Sequence, residues 1–290
     1  MSPTYFLTGV TGTVGAEVRQ ALLATDPQAR IIIAQRDPHK DTGLDLSAHP
    51  NVETRYFDFE DPDSFDAALQ GATRVFFMRP PRLAKESTFA PFVKALENIK
   101  PEIVTFLSVA GAERVKVLPH AKIEALLAAT TLPTYIVRPE YFMSNLLIVF
   151  GEEIRTQKRV TLPSKSARFN WIAPVDIGVV VAHSLEKPAD YIARATHLTG
   201  PDNYDFAEVC SLLSQVLGYS VAYRPVSPLE YALRRPHASS TLEGVMFTLI
   251  HTVPRFFPAP TITTAYEDLT GTAPTTLAEF LSTHQAKFRA

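Results

Sequence analysis

Thr8-Gly9-Val10-Thr11-Gly12-Thr13-Val14-Gly15 is the stretch that decides the fold. A short apolar run, Tyr5–Thr8, leads into it. Behind it Val14, Val18, Ala21 and Leu22 recur at helical spacing to about Ala24. A strand, a G-x-x-G-x-x-G loop and an amphipathic helix, in that order, open a nucleotide-binding βαβ unit. Each glycine has its own use. Gly9 permits the tight turn out of the strand, and Gly12 lets backbone approach a phosphate with no Cβ in the way. Gly15 lets the helix pack close to the sheet. Unpaired amides and the helix dipole then favour a pyrophosphate. A glycine-rich turn without a ligand is the alternative, and the strand and helix on either side argue against it.

Outward from this loop, strand and helix keep alternating. Asp26-Pro27 stops the first helix, and Arg30–Ala34 is a continuous apolar run suited to a parallel strand buried on both faces. Val52–Phe57, Arg74–Met78, Ile103–Ser108 and Thr134–Arg138 read as further strands. Helices are expected from Asp61-Pro62 to about Gln70 with Gly71 as C-cap, from about Lys85 to Ile99, and over Ala121–Ala129. Strands separated by single helices cannot pair as hairpins. The fold class is therefore α/β, with a parallel, doubly wound sheet.

Pro139 ends the rhythm. Residues 141–170 are aromatic and irregular, with a strand at Arg159–Leu162. Pro174–Leu185 reads as a helix returning to the sheet, and His197–Leu198 as its last strand. Asp205-x-x-Glu208, Thr264-x-x-Glu267 and Thr276-x-x-Glu279 each predict a helix opened by a capping box. Val221–Arg224 reads as a strand and Pro254–Pro260 as extended chain. The expected division is a nucleotide-binding domain over residues 1–140, with 171–200 returning to its sheet. Residues 141–170 and 201–290 then form a smaller, mostly helical substrate-binding region.

Composition narrows the function. The 290 residues carry a formal charge of −2, with 28 Lys+Arg against 30 Asp+Glu, so nothing advertises nucleic acid as a partner. The lone cysteine, Cys210, can make neither an internal disulfide nor a cysteine metal site, and it suits a reducing compartment. No His-x-x-x-His or Cys-x-x-Cys spacing suggests a metal. The start, Met-Ser-Pro-Thr-Tyr-Phe, lacks a basic leader. The apolar stretch Phe142–Phe150 is far short of the ~20 residues a bilayer needs. A cytoplasmic, soluble protein is expected, monomeric or homodimeric, acting on a small molecule without membrane or nucleic acid.

Cofactor choice is read at the end of the second strand, where an acid selects NAD and an arginine accepts a 2′-phosphate. The residues there are Gln35-Arg36-Asp37, with His39 and Lys40 adding positive charge nearby. Arg36 comes first and its planar fork suits a phosphate, which favours NADP. Asp37 on a ribose hydroxyl keeps NAD open. Asp58 suits the adenine amino group, or else caps the turn Asp58-Phe59-Glu60-Asp61. Ligands of such sheets lie outside the carboxyl ends of the strands. The nicotinamide half should therefore pass Met78-Arg79-Pro80-Pro81-Arg82, then Ser108–Ala110, then Pro139–Phe142. The candidate cofactor contacts are Gly9, Thr11, Gly12, Thr13, Val14, Gly15, Arg36, Asp58, Phe59, Met78, Arg79, Pro80, Ser108, Val109, Pro139, Tyr141 and Phe142. Arg79 suits a phosphate or an anionic substrate, whereas Arg82 reads as a solvated charge. Aromatic residues crowd the later part of the chain, and Tyr141, Phe142 and Trp171 are the candidates to line a pocket for a flat apolar substrate.

Together these residues resemble the NmrA-like group of atypical short-chain dehydrogenase/reductases, a group that includes triphenylmethane reductase-like and NADPH-dependent quinone reductase-like proteins. The resemblance spans nearly the whole chain. It rests on Leu7–Gly15, Gln35-Arg36-Asp37-Pro38, Tyr56–Asp61 and Leu107–Ala112. It continues through His120-Ala121-Lys122-Ile123-Glu124, Tyr135–Asn145, Val175–Gly178, Leu198–Pro201 and Asp268–Leu281. The resemblance implies a Rossmann-like domain, NADP(H) and a substrate cleft under the helical C-terminal layer. Conventional members of that superfamily use a Ser and a Tyr-x-x-x-Lys. Here Ser108 stands at the serine position, while His120 and Glu124 stand where the Tyr and Lys would be, and Lys122 is out of helical register.

His120, Ser108 and Glu124 are the candidate catalytic residues. His120 and Glu124 are four apart on one helix face, where they can meet and the carboxylate would favour the imidazolium. A local structural pair is the alternative, as is a strand-end serine that only satisfies backbone. The expected activity is hydride transfer from NADPH, with NAD also possible, to a conjugated, aromatic or quinone-like acceptor. A redox sensor that binds NADP(H) without turnover is the rival, favoured by the missing Tyr-x-x-x-Lys. An isomerase that uses the nucleotide transiently is a third and weaker reading.

Overall fold

A computed structural model describes residues 2–234 and 241–289. Met1, residues 235–240 and Ala290, which fall within the expected domain bounds, lie outside the described residues. Contacts divide the chain into two units. One comprises the chain up to Pro139 together with Pro174–Leu198, and the other Glu140–Ala173 together with the chain from Thr199 on.

In chain order the first unit holds β1 (Thr4–Thr8), α1 (Thr13–Thr25), β2 (Arg30–Gln35), β3 (Val52–Tyr56), α2 (Phe65–Leu69), β4 (Arg74–Met78), α3 (Ala90–Ile99), β5 (Ile103–Leu107), α4 (Pro119–Ala128) and β6 (Thr134–Pro139). The second unit begins with β7 (Tyr141–Phe142), α5 (Asn145–Ile148), α6 (Gly151–Gln157), β8 (Arg159–Leu162) and β9 (Phe169–Ile172). The chain returns to the first with α7 (Pro174–Glu186) and β10 (Arg194–Leu198). The second then resumes with β11 (Asn203–Tyr204), α8 (Phe206–Leu217), β12 (Ala222–Pro225), α9 (Pro228–Arg234), α10 (Thr241–Thr252), α11 (Ala265–Thr270) and α12 (Leu277–Thr283).

Seven parallel strands make the sheet of the first unit, in the order β10-β6-β5-β4-β1-β2-β3. This is the α/β Rossmann-like fold. Phe6 of β1 faces Ile32 on one side and Val75 on the other. Every residue of β1 and β5 is buried, as strands covered on both faces require. The order reverses between β1 and β4, which places a crevice at their carboxyl ends.

Phenylalanines fill one face of that sheet. Phe92 of α3 lies 5.3 Å from Phe57, 5.2 Å from Phe59, 5.6 Å from Phe65 and 5.3 Å from Phe77, all ring to ring and edge-on. Elsewhere in the unit α1 packs against α7 so closely that a Cβ on Gly178 would stand 2.6 Å from Glu17 Cβ. A side chain there would force the two helices apart.

In the second unit β9 sits between β7 (parallel) and β11 (antiparallel), while β8 and β12 form a separate parallel pair. Trp171, Phe150 and Phe206 anchor the core. Asn170 holds Gly200 by both amide groups, at 2.7 and 3.0 Å.

Three expectations are corrected. Thr264 starts α11 without capping it. Its backbone (φ −86°, ψ 3°) is not extended, so its hydroxyl turns to Asp268 at 2.8 Å instead of the helix amides. Pro254 does not begin an extended stretch. Val253–Phe256 is a 3₁₀ turn, which the preset φ of a proline at its start accommodates. The helix expected from Lys85 begins with a separate 3₁₀ turn, Glu86–Thr88, before α3 proper.

Candidate active site

The glycine turn is built from backbone against backbone. Gly9 has φ +69°, and a Cβ on it would meet Met78 Sδ at 2.4 Å. The Gly12 amide donates to the Gly9 carbonyl at 2.9 Å. Gly12 is also the N-cap of α1 and offers no side chain there, so the first turn leaves amides directed outward. Gly15 departs from its expected use. A Cβ on it would lie 2.3 Å from the Gly9 carbonyl oxygen, so its bareness serves the turn itself.

A cleft of about 460 Å³ opens at the switch point. The expected residues Gly9, Thr11, Gly12, Arg36, Asp58, Phe59, Met78, Arg79 and Pro80 all line it. It also takes in Pro81, part of the loop expected to pass the nicotinamide half, and Val10, Ala34, Gln35 and Phe57, which lie in or beside the quoted motifs but were not singled out as contacts. Lys40 lines it beside Arg36, putting two cations at the end of β2. Asp37 lines it too, but its Oδ1 accepts from the His39 amide at 3.0 Å. Asp58 lines the cleft, and its Oδ1 accepts from the Glu60 amide at 3.1 Å in the turn it was read as capping.

The two arginines of the loop after β4 are engaged locally. Arg82 is exposed, as a solvated charge should be, and is also paired with Glu60 and, at 3.5 Å, with Asp58 at the wall of the cleft. Arg79 lines the cleft but turns one nitrogen of its fork into its own loop. Its Nη1 donates to the carbonyls of Pro80, Pro81 and Leu83 at 3.0, 2.9 and 2.8 Å. It folds the loop around itself, because three converging carbonyls are the acceptors nearest to a partly buried guanidinium. The carbonyl partners are one to four residues away, which no side-chain motif discloses.

Of the other expected cofactor contacts, Thr13, Val14 and Gly15 form the first turn of α1, with the Val14 side chain in the core. Ser108, Val109 and Pro139 follow or end the neighbouring strands β5 and β6. There the Ser108 amide bonds Val137 and the Ala110 amide bonds Pro139. None of these six is among the residues lining the 460 Å³ cleft.

The candidate catalytic residues are not arranged as expected. Glu124 does not turn to His120. Both its oxygens are held by Arg138, with Nε at 3.0 Å and Nη2 at 2.6 Å, and Ser108 Oγ donates to the same carboxylate. A bidentate guanidinium outcompetes a neutral imidazole for a carboxylate. Arg138 was missed because it lies on β6, fourteen positions away from a helix-borne partner. Nor is the imidazolium favoured at His120. Burial, and after it the charge of Arg79, push the imidazole down to about 4. Ser108 is buried and commits its proton to Glu124.

In the second unit Tyr141 and Phe142 are partly exposed, whereas Trp171 is not. Trp171 has no exposed surface, and its indole Nε1 donates to the Tyr204 carbonyl at 3.3 Å. It is a core anchor with no face left to offer a substrate, because its large apolar area is covered by aromatic neighbours. The Tyr141 hydroxyl meets His251 Nε2 at 2.9 Å. Among the described residues no helix is long and apolar enough to cross a membrane.

Comparisons with known proteins agree with this architecture. The family model described as the NmrA-like family matches residues 2–281. The chain is 30% identical over 226 residues to prestalk A differentiation protein A of Dictyostelium discoideum, covering 78% of this chain and 73% of that protein. It is 25% identical over 299 residues to NAD(P)H azoreductase of Xenophilus azovorans, covering 97% and 98%. The structure of Citrobacter sp. triphenylmethane reductase complexed with NADP(H) matches with a TM-score of 0.80 at 21% identity, covering 97% of this chain and 99% of that one.

Proposed function

Because this chain belongs to the NmrA-like family, we propose that it is an NAD(P)-dependent oxidoreductase that prefers NADPH and reduces a small conjugated, aromatic or quinone-like acceptor. One observation carries the reading: the 460 Å³ cleft at the switch point, with the glycine turn at one wall and Arg36 and Lys40 at the end of β2. The residues fit the dinucleotide. Gly9 and Gly12 leave bare the space that side chains would otherwise take, and the first-turn amides of Thr13, Val14 and Gly15 face a pyrophosphate. Arg36 and Lys40 take the 2′-phosphate, while Asp37, with Oδ1 engaged by a backbone amide, is a weaker ribose ligand. Asp58 and Phe59 take the adenine, and Met78 and Pro80 the middle of the dinucleotide.

When bound, NADPH supplies the hydride. Ser108 with Val109 and Pro139 would border the nicotinamide. With its proton on Glu124, Ser108 offers an acceptor and no acid. His120, kept neutral, positions the acceptor by a hydrogen bond. Tyr141 and Phe142 are the proposed substrate contacts, with the second unit as the substrate-binding region. The chain contributes proximity and an apolar surface more than proton transfer.

The same closed set of Ser108, Glu124 and Arg138 favours the second reading, a sensor that binds the nucleotide and turns nothing over. Titration of NADPH and NADH, then NADPH consumption across quinones, triarylmethane dyes and enones, separates the two. Binding of neither nucleotide below roughly millimolar concentration rejects both readings. Tight binding with no oxidation selects the sensor. Arg36→Asp is expected to shift preference toward NADH, and an unchanged ratio removes Arg36 from specificity.

A further inference from the structure

The carboxyl ends of the parallel strands β8 and β12 open into a second cavity of about 570 Å³, wholly within the second unit. Nothing proposed above uses it. Lys165 and Arg255 border it, and neither makes an ion pair among the described residues. The fold places both cations deliberately. Lys165 adopts a left-handed φ of +49° in the turn that follows β8. Tyr223 of β12 pins that turn: its hydroxyl is 2.9 Å from Ser164 Oγ and is hydrogen-bonded to the backbone of Lys165. Arg255 reaches the same turn from Nη1, donating to the Pro163 carbonyl at 3.4 Å.

Ser166 and Ser227 add two hydroxyls to the wall. The acid there, Asp205, has its Oδ1 taken by the amides of Ala207 and Glu208, both at 2.9 Å. Pro225 and Val226 supply apolar surface. Two cations without an ion-pair partner among the described residues against one carboxylate, the Ser166 hydroxyl, the Ser227 hydroxyl (whose Oγ accepts from the Glu230 amide at 3.0 Å and keeps its proton to donate) and an apolar floor at the end of a parallel strand pair make a concave site of ligand size.

We propose that this cavity binds a small organic anion, a carboxylate or a phosphate monoester carried on an apolar body. Lys165 and Arg255 hold the charged group, the serine hydroxyls complete its hydrogen bonds, and the body lies on the proline and valine.

The test uses the full chain at constant ionic strength, with inorganic phosphate and benzoate as separate probes. The reporters are the methyl NMR signals of Val226 and Ala207, which line this cavity and not the glycine-turn cleft. Saturable shifts are expected, with affinity weakened about tenfold in Lys165→Gln and in Arg255→Gln and retained in Lys165→Arg. Response to benzoate alone assigns a carboxylate ligand, and response to phosphate alone a phosphate ester. No saturable shift with either probe, or unchanged affinity in both Gln variants, overturns the proposal. Lys165 is exposed in its turn, so Lys165→Gln keeps the test decisive if Arg255→Gln folds poorly.

Discussion

Gly15 and Gly9 are both bare, yet what stands against them differs. At Gly15 the obstacle is the Gly9 carbonyl, which is backbone and cannot swing away. At Gly9 it is the flexible end of Met78. Gly15→Ala should therefore open the turn, lowering Tm and weakening NADPH binding at least about tenfold. Gly9→Ala should also lose affinity, but Met78→Ala in the same chain should restore part of it, less the cost of about 1 kcal/mol for a left-handed alanine. NADPH titration of the two single variants and the two Met78→Ala doubles checks this, and equal rescue of both glycines would refute it. The spacing of the glycines was legible in sequence, and so was their link to phosphate. The obstacle each one avoids was not, because it depends on which atoms the turn brings together. Glu124 makes the same point. Its register with His120 is visible in sequence, but a carboxylate goes to the strongest donor within reach, and that donor, Arg138, comes from another strand.

Three helices share one local pattern, Asp/Thr-x-x-Glu, and only two use it. Asp205 and Thr276 have extended backbones (ψ 170° and 156°) and close full capping boxes with Glu208 and Glu279. Thr264, with ψ 3°, does not. Asp205→Ala and Thr276→Ala are each expected to lower stability by about 1 kcal/mol, whereas Thr264→Ala should change it by less than about 0.5 kcal/mol. Urea unfolding of the three variants measures the difference, and a loss at Thr264 matching the others would contradict the assignment. The existence of these helices was readable from that pattern. Which cap forms depends on one dihedral angle, set by the chain that enters the helix, and a four-residue pattern does not carry it. Strands were more legible. Continuous apolar runs located the inner strands β1, β2, β4, β5 and β6, because a strand covered on both faces leaves such a signature, whereas of the exposed edge strand β10 only the last two residues were legible.

Stability of the molecule should fall on acidification, for a reason traceable to His120. Burial and the charge of Arg79 push its imidazole from 6.5 down to about 4, so folding favours the neutral ring. The unfolded chain takes up a proton near pH 6.5 and the folded chain only near 4. The stabilisation is complete above 6.5 and is lost as pH falls toward 4, with a slope of at most about 1.4 kcal/mol per pH unit. Burial of Glu113 opposes its ionisation, but a backbone hydrogen bond and the charges of Arg138 and Arg114 outweigh it and hold its carboxyl below the ordinary range. Its contribution is lost at still lower pH, in the same direction. Urea titrations between pH 7.5 and 4.5 should show the decline, flattened in His120→Asn. Parallel curves for variant and parent would show that His120 is not its source.

The large sheet is discontinuous in sequence. Its first six strands are complete at Pro139, but β10, which pairs with β6, and α7, which packs on α1, arrive only between Pro174 and Leu198. During synthesis the ribosome must therefore release nearly two hundred residues, with thirty-four of the other unit among them, before one face of α1 is covered and β6 ceases to be an edge. Until then the nascent chain presents an open strand and an apolar helix face to its surroundings, so its period of greatest exposure to chaperones and to misassociation is written into the order of its elements.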